Sequence, residues 1–239
     1  MSKTLTRTFD LNQIVQMAVK NRAWKLDLSY QNLDSFNHKM LSRLSELEVL
    51  NLSHNNLTEI PDVIYRLTSL RKLILSNNQL TSLSEKVSEL TNLEWLHVGN
   101  NPDIGKLPDL SPLVNLSELD ISKCGLRKFP KGIETMKKLT ILDASQNNIK
   151  IIPKSFSQLK SLVRIYMNNN KLSSLPQTLS TLIQLRIIDF SNNSLSTIPP
   201  SFSSLVNLWE LNLQGNEKLS FPPPEIVEKG VKAILRYIK

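Results

Sequence analysis

Residues 139–149 read LTILDASQNNI, and the same outline stands at 47–57 (LEVLNLSHNNL) and 70–80 (LRKLILSNNQL). The leading Leu recurs at 47, 70, 93, 116, 139, 162, 185 and 208, every step being 23 residues. A degenerate copy, AWKLDLSYQNL at 23–33, sits 24 residues ahead of the next and makes a ninth unit. The second half of the unit repeats too: Pro61, Pro130, Pro153, Pro176, Pro199 and Pro222 all fall at unit position 15. A fixed period of this length marks a chain built by stacking one supersecondary unit on the next.

The chemistry within each unit predicts its shape. Unit positions 4 and 6 (Leu50 and Leu52, Leu73 and Leu75, Ile165 and Met167) are apolar with polar neighbours, the pattern of a short strand burying one face. Stacked units place these strands side by side in a parallel sheet. Position 9 is Asn at 55, 78, 101, 147, 170, 193 and 216, an amide able to donate to and accept from turn backbone. Proline at position 15 fixes φ and opens the return segment. Apolar residues at positions 18 and 21, such as Ile64 with Leu67 or Phe156 with Leu159, close the core from outside. No unit can bury its own apolar face, so the units are stable only as a stack. The expected architecture is a curved α/β solenoid with the parallel sheet on the concave face and a helical cap at each end.

These residues carry a resemblance. The unit is similar to the 23-residue cytoplasmic class of leucine-rich repeats, LxxLxLxxNxLxxLPxxIxxLxx, of the Ras-group type, over about residues 23–222. A narrower resemblance lies in the tail, PPPEIVEKGVKAILRYIK at 222–239, which looks like the end of the repeat domain in Roco-type proteins, where a helix leads into a Ras-like GTPase domain. The first resemblance implies a cytoplasmic interaction scaffold whose partner is a signalling protein, such as a small GTPase or a phosphatase complex. The second implies a regulatory or dimerising domain cut from a larger Roco-like GTPase.

Composition narrows the class. No apolar run approaches the roughly 18–20 residues needed to cross a bilayer. The first twenty residues mix charge through their apolar positions, unlike a signal peptide. The lone cysteine, Cys124, excludes an intrachain disulfide and suits a reducing, cytoplasmic compartment. Cys124 occupies a position elsewhere held by Asn, and the histidines (His38, His54, His97) belong to other units, so it reads as a packing residue. The six glycines form no phosphate-binding loop and no Cys/His set has zinc spacing. Asp120, Asp143 and Asp189 share position 5, where a carboxylate pair is conceivable, but the plainer reading is that they face solvent. No enzyme activity, cofactor or metal is expected.

Two surfaces suggest partners. Exposed strand positions 2, 3 and 5 supply Glu94, Trp95, His97, Glu118, Asp120, Asp143, Arg164, Tyr166 and Arg186 in the middle of the array, with Trp24 and Trp209 towards the ends. Trp, Tyr and Arg are enriched among the residues that dominate interface energy. Residues 123–171 balance to +9 against +8 for the whole chain. Within them Arg127 and Lys150, Lys131 and Lys154, and Lys137 and Lys160 are each 23 apart and stack in register. Such a patch suits an acidic protein or an anionic membrane surface. Without interleaved aromatics, nucleic acid is the weakest candidate. One irregularity stands out: unit 93–115 has an extra residue before Ile104 and its proline slips to Pro108, so a bulge and a shortened outer segment are expected.

The ends differ from the repeat. Residues 10–21 read as a capping helix with Asp10 as N-cap, within an N-terminal cap of 1–22. At 223–239, Pro224 suits the first helical position, and Val227, Val231, Ile234 and Ile238 fall on one helical face, with Gly230 in mid-helix to allow close packing.

Overall fold

The computed structural model describes residues 11–35 and 39–239. Apolar–polar alternation at the start of every unit produces nine three-residue strands: β1 (Lys25–Asp27), β2 (Val49–Asn51), β3 (Lys72–Ile74), β4 (Trp95–His97), β5 (Glu118–Asp120), β6 (Ile141–Asp143), β7 (Arg164–Tyr166), β8 (Ile187–Asp189) and β9 (Glu210–Asn212). They pair in parallel, in sequence order, within one open sheet. The register repeats without slip, so Leu50, Leu73, Leu96, Leu119 and Leu142 stand opposite one another. All five are fully buried, as are Leu52, Leu75 and Val98 two residues on. Complete burial of a side chain of this size contributes roughly 1.5–3 kcal/mol.

Two turns lead the chain away from the sheet, the first of them wherever position 5 is Asp or Asn. At position 5, Asp or Asn accepts from the backbone N–H two residues on: Asp120 from Ser122 at 2.9 Å, Asp143 from Ser145 at 2.9 Å and Asp189 from Ser191 at 2.9 Å. At position 8 the backbone turns left-handed, with φ of 48–59° at Tyr30, His54, Asn77, Asn100, Lys123, Gln146, Asn169 and Asn192. That conformation is tolerated best by Gly and Asn. The buried Asn at position 9 then ties its own turn to that of the preceding unit. Asn147 donates to the carbonyls of Ile121, Ala144 and Ser145 and accepts from the N–H groups of Cys124 and Leu126, all within 3.1 Å.

The outer arc is made of short helical pieces: the α-helices α1 (Leu11–Lys20), α2 (Asp62–Tyr65), α3 (Pro224–Val227) and α4 (Val231–Tyr237), and 3-10 turns at Lys39–Arg43, Glu85–Glu89, Ile133–Thr135, Lys154–Gln158, Gln177–Thr181 and Pro200–Ser204. Their buried Ile64, Val87, Ile133, Phe156, Leu179 and Phe202 close the core. Unit 93–115 alone has no helical turn on its outer segment. The extra residue spent on the bulge leaves too little chain to form one.

The ends are capped by helices that extend the same core. On α1, Val15 and Ala18 are buried, with Leu11, Ile14 and Val19 packed beside them. Asp10 lies outside the described residues. At the other end Ile234 and Ile238 are buried, whereas Val227 and Val231 are half-buried. The expectation of one helix through Gly230 is corrected by the structure. Gly230 has φ 84° and ψ −179°, and the chain breaks there into α3 and α4. A Cβ at Gly230 would meet nothing within 4 Å. The glycine therefore serves a backbone conformation closed to other residues, not close packing.

Candidate protein-binding surface

The strand register assembles the exposed residues into two rows. Position 5 runs His97, Asp120, Asp143, Tyr166, Asp189, and position 3 runs Trp95, Glu118, Ile141, Arg164, Ile187, each residue beside the next on adjacent strands. At the head of the rows the side chains are already organised. The Lys72 ammonium sits 3.3 Å from the centre of the Trp95 ring, on which His97 stacks at 5.8 Å. His97 Nε2 lies 3.0 Å from the Glu118 carboxylate, an ion-pair distance without hydrogen-bond alignment. Glu94 accepts from Arg71 at 2.5 Å, and Arg71 also faces Glu48 at 3.7 Å. Arg186 caps the ring of Trp209 at 4.6 Å, leaving that indole 68% exposed. Trp24 is 61% exposed at the opposite end.

The position-5 carboxylates do more than face solvent. Each is half-buried and fastens its own turn, which the 23-residue period alone does not reveal. Asp120 and Asp143 are direct neighbours in the register. Burial pushes the Asp143 carboxyl above the ordinary range, and the negative charges of Asp120 and Asp189 add to this; the Ser145 hydrogen bonds oppose it. Among the described residues no cluster of three or more His, Cys, Asp or Glu could hold a metal ion.

Cys124 is fully buried, with Sγ 3.3 Å from the carbonyls of Val98 and Ser122, two of the groups an Asn amide would serve. Burial pushes its thiol up to about 12, far from the range of a nucleophilic cysteine.

The basic residues separate into two groups. Arg127 and Lys131 line a groove beside the bulged unit, and Lys150 and Lys154 repeat them one unit on. Lys137 and Lys160 lie at the other end of the outer segment, where they are tethered: Lys137 Nζ donates to Gln158 Oε1 at 2.6 Å, and Lys160 Nζ to Thr181 Oγ1 at 3.0 Å. The period places them in columns without saying on which side of the solenoid each column falls.

A one-period stack with an in-register parallel sheet and an asparagine ladder defines a repeat class, and sequence comparison agrees. The "Leucine rich repeat" family profile matches residues 24–80, 114–172 and 165–217. The chain belongs to the leucine-rich-repeat family. A search of curated proteins gave no match. Among solved structures, a leucine-rich-repeat protein of Leptospira interrogans is 30% identical over 89% of this chain and 60% of its own, with a TM-score of 0.78. The Arabidopsis receptor kinase HAESA, solved with the peptide hormone IDA and the co-receptor SERK1, is 30% identical over 79% of this chain and 33% of its own, with a TM-score of 0.69. TLR13, solved with the RNA ssRNA13, is 27% identical over 88% of this chain and 37% of its own, with a TM-score of 0.69. The chain thus spans less than two thirds of each of these proteins, and about a third of HAESA and TLR13. Among its described residues no helix is long and apolar enough to cross a membrane.

Proposed function

We propose that this chain is a protein-interaction scaffold that takes its partner on the concave sheet face, centred on Trp95, His97, Glu118, Asp120, Asp143, Arg164 and Tyr166. The observation that carries this reading is the arrangement around Trp95. An indole held between an ammonium and an imidazole has lost its rotamer freedom before binding, which lowers the entropic cost of association. The Arg71–Glu94 ion pair and the Glu118 carboxylate flank it, so the surface can select a partner by electrostatic complementarity as well as by apolar contact. The Arabidopsis receptor was solved with a peptide hormone, and a peptide or protein partner is the corresponding reading here. By family resemblance that partner is a cytoplasmic signalling protein, such as a small GTPase or a phosphatase complex.

Cross-linking capture followed by mass spectrometry identifies the partner, and purified components then test the face. Trp95→Ala and Tyr166→Ala are each expected to weaken binding about tenfold or more, the range of interface hot spots, with unchanged melting temperature within a few degrees. Undiminished binding by both variants moves the interface elsewhere.

The tail supports a second reading, a regulatory or dimerising domain of a Roco-like GTPase. After the last strand the chain leaves the repeat for α3 and α4, which cover the final unit's core. Translation of the gene beyond Lys239 into a GxxxxGK[ST] loop separates this reading from a stand-alone scaffold.

A further inference from the structure

The bulged unit and its missing helical turn widen the groove beside it to about 800 Å³, against about 380 Å³ for its counterpart between the first two units. After Asn101 the chain loops outward, and Gly105 N–H donates to the Cys124 carbonyl at 2.9 Å. The outer segment then runs extended, held by Leu110 N–H to the Lys131 carbonyl at 3.0 Å. At Gly132 (φ 84°) the next unit presses so closely on Ser111 that a Cβ would come within 2.3 Å of its backbone. Tight contact there and the absent turn beside it leave a groove of about 800 Å³ between segments 105–109 and 127–131.

Its lining has a definite chemistry. Leu107, Pro108, Phe129 and Pro130 form an apolar floor, all four buried. Lys106, Arg127 and Lys128 form an exposed rim, and none of the three has an ion pair or side-chain hydrogen bond among the described residues. Of the two acids lining the groove, Asp109 is already engaged by Lys131 at 2.8 Å and by Ser111 N–H at 2.8 Å. Glu85 alone remains against three unpaired cations. One unit further on, Ile151 is 73% exposed in the same column as Lys128, with Lys150 beside it.

We propose that this groove is a second docking site, separate from the concave face, for an extended acidic peptide segment carrying spaced apolar side chains. The rim supplies unpaired cations for carboxylates, and the floor and Ile151 supply contacts for the apolar residues between them. A groove with its apolar atoms at the bottom admits a strand of peptide but not the flat surface of a bilayer. It offers nucleic acid no exposed ring for stacking, because Phe129 is only 8% exposed.

The test is fluorescence anisotropy with a fluorescein-labelled peptide of Glu-Glu-Leu triplets, and a Gln-Gln-Leu peptide as control. Lys106→Glu with Arg127→Glu is expected to weaken capture at least about tenfold, whereas Lys137→Glu with Lys160→Glu, an identical change in net charge, costs less than about threefold. Ile151→Ala is expected to weaken the Glu-Glu-Leu peptide but not a Glu-Glu-Ser peptide. Trp95→Ala is expected to leave capture unchanged. Lys106→Gln with Arg127→Gln gives a milder pair should the charge reversal perturb folding, which a circular-dichroism melt monitors. Equal losses from both reversed pairs would mean diffuse attraction and overturn the site. Loss of capture in Trp95→Ala would place the peptide on the concave face instead. Tighter rim-dependent binding of phosphatidylserine-containing vesicles or oligo-uridine than of the peptide would also overturn the proposal.

Discussion

Replacing Asn147 by Ala is the most direct probe of what holds the array together. Its Oδ1 accepts from two backbone donors of the preceding unit, at 3.0 and 2.9 Å. Its Nδ2 serves three carbonyls at 2.9, 3.1 and 3.0 Å. Alanine removes the amide and leaves Cys124 N–H and Leu126 N–H without an acceptor in a fully buried turn. An orphaned buried donor costs about 1–3 kcal/mol, so the two together predict a loss of about 3 kcal/mol once some water entry is allowed. Against a total of about 5–15 kcal/mol, that is a large fraction. With a urea slope near 2 kcal/mol/M, the unfolding midpoint should fall by about 1.5 M. The control is the next residue, Asn148→Ala, whose side chain makes no hydrogen bond among the described residues and should cost under about 0.5 kcal/mol. Circular dichroism during urea titration reads both. Equal, small losses from the two variants would refute the ladder as the clasp between units.

Asp143→Asn tests the buried carboxylate row. The folded protein raises the Asp143 pKa from 3.8, so ionisation destabilises the fold, and wild-type stability at this site is fully present below about 3.8 and lost as pH rises through the folded value. The Asn variant stays neutral while keeping the acceptor for Ser145. It should melt higher than wild type at neutral pH, with the gain vanishing in acid; thermal melts across pH check this. At the bulge, Gly125→Ala places a Cβ 2.5 Å from the Pro102 carbonyl at φ 67° and should cost more than about 2 kcal/mol, whereas Gly105→Ala (φ 63°, open space) should cost only the roughly 1 kcal/mol of left-handed backbone. Comparison of their denaturation midpoints decides it.

The solenoid was legible because its signal is periodic. The Leu and Asn columns name the buried positions, and a parallel stack follows once no unit can bury its own face. The sequence was silent where one residue type serves several ends. Asp at position 5 looks like an ordinary exposed acid until the turn it fastens is seen, and Lys123 or His54 gives no hint of the left-handed backbone both adopt. Gly230 is ambiguous in the sequence, because a glycine among helix formers does not announce whether it interrupts the helix or permits contact. The concave residues could be named in advance, since alternation fixes which way they point. The groove was legible only in part: the extra residue before Ile104 and the slipped Pro108 announce the shortened outer segment, but the close backbone contact at Gly132 that completes the groove is not announced by the period.

The pairing of Cys124 with the bulge bears on how such an array changes over generations. At the other boundaries the position-9 Asn accepts from the N–H at position 11 of the preceding unit, as Asn147 does from Leu126 and Asn170 from Ile149. Before Cys124 that arrangement is replaced by Gly105 N–H bonding to the Cys124 carbonyl, with Gly125 making room for Pro102. Unequal recombination can duplicate or delete a unit such as 139–161 and still join matched edges. A crossover that separates 93–115 from 116–138 would bring a bulged edge against an Asn-type edge. These two units are therefore matched to each other, whereas a unit such as 139–161 presents the common Asn-type edge on both sides.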